Sequence, residues 1–568
     1  MLQRSASTVR AIVAATSRRF SAEAAVTPPP PKEKAVAAAG RSKSGSGGAV
    51  KENLRKSLIN LVYAKRSAVV AIRKWKEEGN KVQKYELNRI VRELRTLKRY
   101  KHALEVCEWM RQQPDIKLVA GDYAVHLDLV TKVRGLASAE KFFEDLPENM
   151  RGRLACTSLL HSYVRNKLPS KAEALMEKMK ECDFLKSPLP FNHMLSIYIA
   201  NKQLEKVPEV IQDLNKHTKP DIFTYNLWLT ACSGEDDAET AEKVFKELKK
   251  SKLDPDWVTY SILTNLYIKN KLHEQALPML KEMEKQASRK NRLVYPSLIS
   301  LYTGIGDSEA VHRLWKEMKW NFRKMNDAEY ICMVSSLSKL GELAEVERVY
   351  NEWESVSTSH RPGVPNVLIA AYMNKNQLEE AKAMHKRMEQ KGIPPCYTTW
   401  ELLTWVHLKT GEIEKALDCF KNAVASVQKW NPDARLIRGV LDAVEQKGDV
   451  ERAEQFLVML RGAGCLSTDV YNSLLRTYAR AGKMPLVVVE RMKKDKVELD
   501  EGTRELIGKT RDLPLAGASG SNSLLSIFGF PTAQRLGVMV VELSEISKPP
   551  NQTTLVEEVS IAVGTQSI

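Results

Sequence analysis

Along most of this chain, apolar side chains come in short runs at helical spacing, set in pairs across a polar turn. Tyr295, Leu298, Ile299 and Tyr302 fall on one helical face, Gly306 interrupts it, and Val311, Leu314, Trp315 and Met318 make a second face. Helices this short are marginal alone, and each apolar stripe needs a neighbour to cover it. The pair recurs. From Tyr225 a step of 35 residues lands on Tyr260, Tyr295, Tyr330, Pro365 and Trp400 without a slip. The same step carries Asp236 to Lys271, Gly306, Gly341, Asn376 and Gly411 at the turn, and Ala241 to Ala276, Val311, Val346, Ala381 and Ala416 in the second helix. With small shifts the marks continue upstream through Phe191, Cys156, Tyr123 and Leu87, and downstream through Ile437 and Tyr471. Self-similarity at such a period predicts an all-α solenoid of about twelve helix-turn-helix units over 84–500. The small residue late in each unit lets the second helix approach the first.

Outside this span the pattern changes. Residues 1–20 carry arginines at 4, 10, 18 and 19, many Ser and Ala, and no acid, which suits an amphipathic import leader. The run Arg18, Arg19, Phe20, Ser21 is similar to a mitochondrial processing pattern, so the expected compartment is the mitochondrion, with the chloroplast as the alternative. Residues 21–50, with "TPPPP" and "GRSKSGSGG", read as a disordered linker. Residues 51–83 read as a basic helical segment, and from Lys51 to Lys101 there are 16 Lys or Arg against 5 Glu. Residues 501–568 break the repeat composition and form a tail of undetermined structure, in which "RLGVMVVELSEI" has the character of a strand.

Composition narrows the chemistry. The chain has 568 residues and a formal net charge of +17, which favours a polyanionic partner. Its eight cysteines contain no CxxC pair and read as small core residues of a reducing compartment. No HExxH motif occurs, nor the HxE-plus-CxxC arrangement of a zinc deaminase, and "GTRELIGKT" has the wrong glycine spacing for a phosphate loop. Neither catalysis, cofactor nor metal is expected, and no apolar run is long enough for a membrane span.

The segments "TYNLWL…AEKVFKEL…LDPD", "NVLIAAYMNKNQLEEAKAMHKRMEQKGIPP" and "VYNSLLRTYARAGK" resemble the pentatricopeptide repeat family of plant organelles, in its mitochondrial subgroup built of standard-length repeats. The resemblance implies a right-handed superhelical solenoid that reads single-stranded organellar RNA, one base per unit. It also implies that the residue after the aromatic mark and the last residue of the unit contact the base. Asn192 with Asp221 and Asn226 with Asp256 would favour uracil, and Ser261 with Asn291 adenine. Thr157 with Ser187 and Asn366 with Cys396 are imperfect pairs, while Ala124, Pro296, Ile331, Glu401 and Arg438 fail at the reading position. Lys98, Arg99 and Lys101 are candidate phosphate contacts. Readable units in sequence specify only a handful of bases. Two roles follow: an RNA binder in transcript stabilisation, processing or translation, or a structural or assembly component of the mitochondrial ribosome, with other RNA-processing proteins as further partners.

Overall fold

The computed structural model describes residues 54–513, apart from 62–66, 290, 428–429, 431–432, 486–487 and 511–512. The expected leader, linker and strand-like stretch of the tail lie outside the described residues. Twelve helix pairs run from Lys84–Thr96 with Tyr100–Gln112 to Thr468–Arg480 with Val488–Lys494, which bears out the all-α solenoid and its number of units. Two short helices, Leu54–Ile59 and Ala68–Glu77, precede them. One more, Glu501–Thr510, follows and packs on Thr468–Arg480, so the solenoid extends past 500 into what reads as tail.

The chain divides into two compact units, at Asn321 and Phe322. In the first, the leading helices from Ala120–Arg134 to Trp257–Lys269 each pack on their own second helix and on the next leading helix, as Leu189–Asn201 does on Ile222–Glu235 and that helix on Trp257–Lys269. The second unit repeats the scheme, with Asp327–Leu340 on Gly363–Asn374. Each stripe is covered by its neighbours, and Trp315, Trp353 and Tyr295 are among the largest side chains wholly buried.

The sequence places three devices that recur along the repeats. Ala241, Ala276, Val311, Val346, Ala381 and Ala416 are all fully buried where the two helices touch. The marking tyrosine bonds a glutamate of its own second helix: Tyr225 to Glu247 at 3.3 Å, Tyr295 to Glu317 at 2.7 Å, Tyr330 to Glu352 at 3.2 Å. A second tyrosine reaches back one unit, as Tyr198 does to Glu173 at 2.7 Å and Tyr372 to Glu347 at 2.9 Å. Each ring thus buries its body and leaves its hydroxyl a partner, which fixes the register between helices.

The basic segment before the repeats is partly consumed by packing. Arg55 grips Glu93 through two bonds of 2.6 and 2.7 Å, and Glu105 accepts from the backbone N–H of Ala68 at 2.6 Å. Each contact joins this segment to the first helix pair.

Candidate functional site

Within each of the two compact units the first turn of a leading helix can lie beside the N-terminus of the next, and there three of the expected base-reading pairs meet. Asp256 caps helix Trp257–Lys269, its Oδ1 accepting from the Thr259 N–H at 2.9 Å. Asn226, one unit earlier, donates from Nδ2 to that Oδ1 at 3.1 Å, and its own Oδ1 accepts from the Thr259 hydroxyl at 2.7 Å. A carboxylate has no hydrogen to give, so the amide must turn its NH₂ to Asp256 and its oxygen to Thr259. The three side chains form one rung.

The rung is repeated. Asn192 donates to Asp221 at 3.2 Å and accepts from Thr224 at 2.8 Å, and Asp221 caps its helix through the Thr224 N–H at 2.8 Å. Asn472, Asp500 and Thr503 build a further rung with bonds of 3.3, 2.7 and 2.6 Å. Sequence reasoning did not pair Asn472 with Asp500, although the Asp-x-x-Thr spacing of 221/224 and 256/259 returns at 500/503. The three threonines were missed altogether, and that spacing was their signal.

At Asn366 the carboxylate is replaced by a thiol: Nδ2 lies 3.5 Å from the Cys396 sulfur, and Thr399 donates to the amide oxygen at 2.9 Å. Burial pushes the Cys396 thiol up, but hydrogen bonds from the Thr399 side chain and backbone and from Asn366 outweigh it and bring the thiol below its usual value. The sulfur is therefore biased toward the charge that aspartate carries in the other rungs.

The remaining expected pairs are not joined. Asn291 donates to its own Gln286 carbonyl at 3.4 Å, and no hydrogen bond links it to Ser261. The Thr157 hydroxyl donates to the Arg153 carbonyl at 2.8 Å, one turn back in its own helix. Arg438 at a reading position pairs with Asp469 at 3.0 Å and Asp442 at 2.8 Å.

Within a rung the aspartate is the accessible member. Asn192 and Asn226 are 1% and 2% exposed, whereas Asp221 and Asp256 are half-buried. The bonds of Asp256 all fall on Oδ1, leaving Oδ2 with no hydrogen bond among the described residues. Asn226 Nδ2 likewise keeps one hydrogen beyond the one given to Asp256.

Of the candidate phosphate contacts, Lys98 and Lys101 are exposed. Arg99 instead serves the fold, because its guanidinium donates to the Ile59 carbonyl and, at 3.3 Å, to the Leu61 carbonyl, holding the end of the first short helix. A charged layer lies deeper in the same region. Asp128 accepts from Arg95 and from Lys132, each at 2.7 Å, and all three side chains are nearly buried. Burial, helped by Arg111 and Arg134, lowers His126 to about 4, and burial lowers His161 to about 4 as well, despite the nearby Asp128. Among the described residues no cluster of His, Cys, Asp and Glu could hold a metal ion, and no helix is long and apolar enough to cross a membrane.

Comparison with known proteins agrees with the repeat reading. The PPR repeat model matches residues 154–184, 258–286, 330–356 and 365–393, the PPR repeat family model 220–266, and the pentatricopeptide repeat domain model 186–235. A mitochondrial pentatricopeptide repeat-containing protein of Arabidopsis thaliana is 60% identical over 473 residues, 83% of this chain and 89% of that protein. Another from the same plant, also named mitochondrial, is 31% identical over 463 residues, 80% of this chain and 94% of its own length. The leader's expected address, the mitochondrion, agrees with these names. Among solved structures, maize pentatricopeptide repeat protein PPR10 matches at 16% identity and TM-score 0.38, covering 87% of this chain and 76% of that one. PPR10 in complex with an 18-nt psaJ RNA element matches at 15% identity and TM-score 0.32, covering 80% and 76%.

Proposed function

The chain belongs to the pentatricopeptide repeat family, and on that premise we propose that it binds single-stranded RNA in the mitochondrion and acts there in stabilising, processing or translating transcripts. The observation that carries the reading is the Asn226–Asp256 rung, with an acceptor oxygen left over on the aspartate beside a donor hydrogen left over on the asparagine. Uracil presents the complement, an N3–H flanked by carbonyl oxygens. Cytosine would set its N3 lone pair against the carboxylate and be repelled. The Asn192–Asp221 rung has the same chemistry, so two neighbouring uracil-reading units are expected, followed by the Ser261 unit with adenine.

Discrimination would come from the rungs and most of the affinity from phosphate contacts, which separates the two experimentally. Replacing Asn192 and Asn226 by Ala should bring the affinity for a matched RNA oligonucleotide down to that for a scrambled one and leave the salt dependence in place. Titrations at two salt concentrations, with circular dichroism to check that the variant keeps its helices, read the result. Equal affinity of the unaltered protein for matched and scrambled RNA would overturn base reading.

A further inference from the structure

Leading helices of the 54–321 unit end in a common turn, and four of those turns hold a lysine in left-handed backbone conformation: Lys98 at φ 60°, Lys167 at 57°, Lys202 at 60° and Lys271 at 59°. The closure is the same each time. Lys167 N–H bonds the Val164 carbonyl and Leu168 N–H the Tyr163 carbonyl, both at 3.1 Å, and Lys98, Lys202 and Lys271 repeat the pattern. A side chain with a Cβ is strained there and glycine is not. Glycine closes the corresponding turn at Gly306, and at Gly341, Gly411, Gly448 and Gly482 in the 327–510 unit, where no such turn holds a lysine.

Packing does not account for the four lysines. All are exposed, and none makes an ion pair or side-chain hydrogen bond among the described residues. A cation near a helix C-terminus is favoured by the helix dipole, but three of the four helices already carry a basic residue in their last turn, Arg95, Arg165 and Lys269, and Leu189–Asn201 alone of the four does not. Lys269, for example, donates to the Ser233 carbonyl at 3.1 Å and to Asp236 at 2.8 Å. Strain is thus retained at four equivalent positions of one unit, and at Lys98, Lys167 and Lys271 it holds a charge that the helix end does not need. Each lies ten residues beyond a reading position, as Lys202 does beyond Asn192, or about 15 Å along the helix.

We propose that Lys98, Lys167, Lys202 and Lys271 form a second nucleic-acid contact, an edge that takes the phosphates of the strand whose bases the rungs read; it rests on the RNA-binding reading above. The lysines act as point charges, one per unit, and carry no base preference.

The test is the full-length protein with K98G, K167G, K202G and K271G combined. Relief of the strained turns should raise its Tm by a few degrees. Neutralising four contacts should flatten the slope of log affinity against log salt for a single-stranded RNA by about 3, at roughly 0.7 per contact. The ratio of matched to scrambled affinity should stay. An unchanged slope overturns the proposal, whether Tm rises or, as for a purely dipole-capping role, falls. Weakened binding of polyglutamate with unchanged binding of RNA would also overturn it, in favour of an acidic protein partner. Failure of the unaltered protein to bind RNA at any salt would instead remove the reading on which the edge rests.

Discussion

Replacing Arg491 by Met tests the most deeply buried ion pair of the 327–510 unit. Its guanidinium makes a two-pronged contact with Glu454, with bonds of 2.9 and 2.6 Å, and Tyr478 adds a third to the same carboxylate at 2.9 Å. The side chains are 12% and 6% exposed, so solvent cannot replace a lost partner. R491M therefore leaves a buried carboxylate holding only the tyrosine hydroxyl, and the expected loss is about 3–5 kcal/mol, far above the few tenths typical of an exposed pair. Replacing both partners, as E454M with R491M, removes the stranded charge along with the pair and should recover most of that loss. The coupling from the double-mutant cycle should then exceed about 2 kcal/mol, the double variant being more stable than the two single losses added together. Urea unfolding supplies the energies, and hydrogen exchange over 450–510 locates the damage. A loss below about 1 kcal/mol for R491M, or a double variant as unstable as the sum of the singles, would refute the argument that burial makes this pair costly to break.

Two other perturbations address the fold. Ala381 is fully buried where helix Leu378–Gln390 meets Gly363–Asn374, so A381W should cost roughly 1–3 kcal/mol or more by overpacking and loosen the adjacent pairs; hydrogen exchange over 360–420 should quicken. Acid should weaken the 54–321 unit before its carboxylates titrate. His126 and His161 have folded values near 4, below the ordinary 6.5, so the unfolded chain binds more protons between those limits and stability falls as pH drops through 6.5 toward 4. At pH 5 this amounts to about 2 kcal/mol for each group, and a urea midpoint unchanged between pH 7 and pH 5 would contradict their neutral burial.

What could be read in the chain, and what could not, follows from the range of each interaction. The twelve pairs were legible because turn, cap and small residue each lie within a few positions of the mark they accompany, and the step of 35 repeats them. The closing helix Glu501–Thr510 escaped because "GTRELIGKT" lacks the aromatic mark, though Asp500 and Thr503 repeat the cap and Ile507 the buried face. The buried charges were beyond reach for a different reason. Arg95 meets Asp128 across 33 residues and Arg491 meets Glu454 across 37, so each pair joins different units with no local pattern to announce it.

The rungs fall between these cases. Asn226 and Asp256 were pairable from resemblance, but Thr259 was not, because a threonine in a helix's first turn is also the ordinary partner of an N-cap aspartate. That double use has a consequence. In each rung the cap that starts one leading helix also orients the amide of the unit before it, so the element that specifies the fold locally sets the donor and acceptor pattern offered to a base. Substituting the threonine would disturb both, whereas substituting the asparagine leaves the cap intact. The turn lysines show the converse: a position the fold would give to glycine carries a charge instead, and only the backbone angle reveals that the choice works against stability. Departures from local preference, rather than the regular features of the repeat, are therefore where this chain separates the requirements of binding from those of folding.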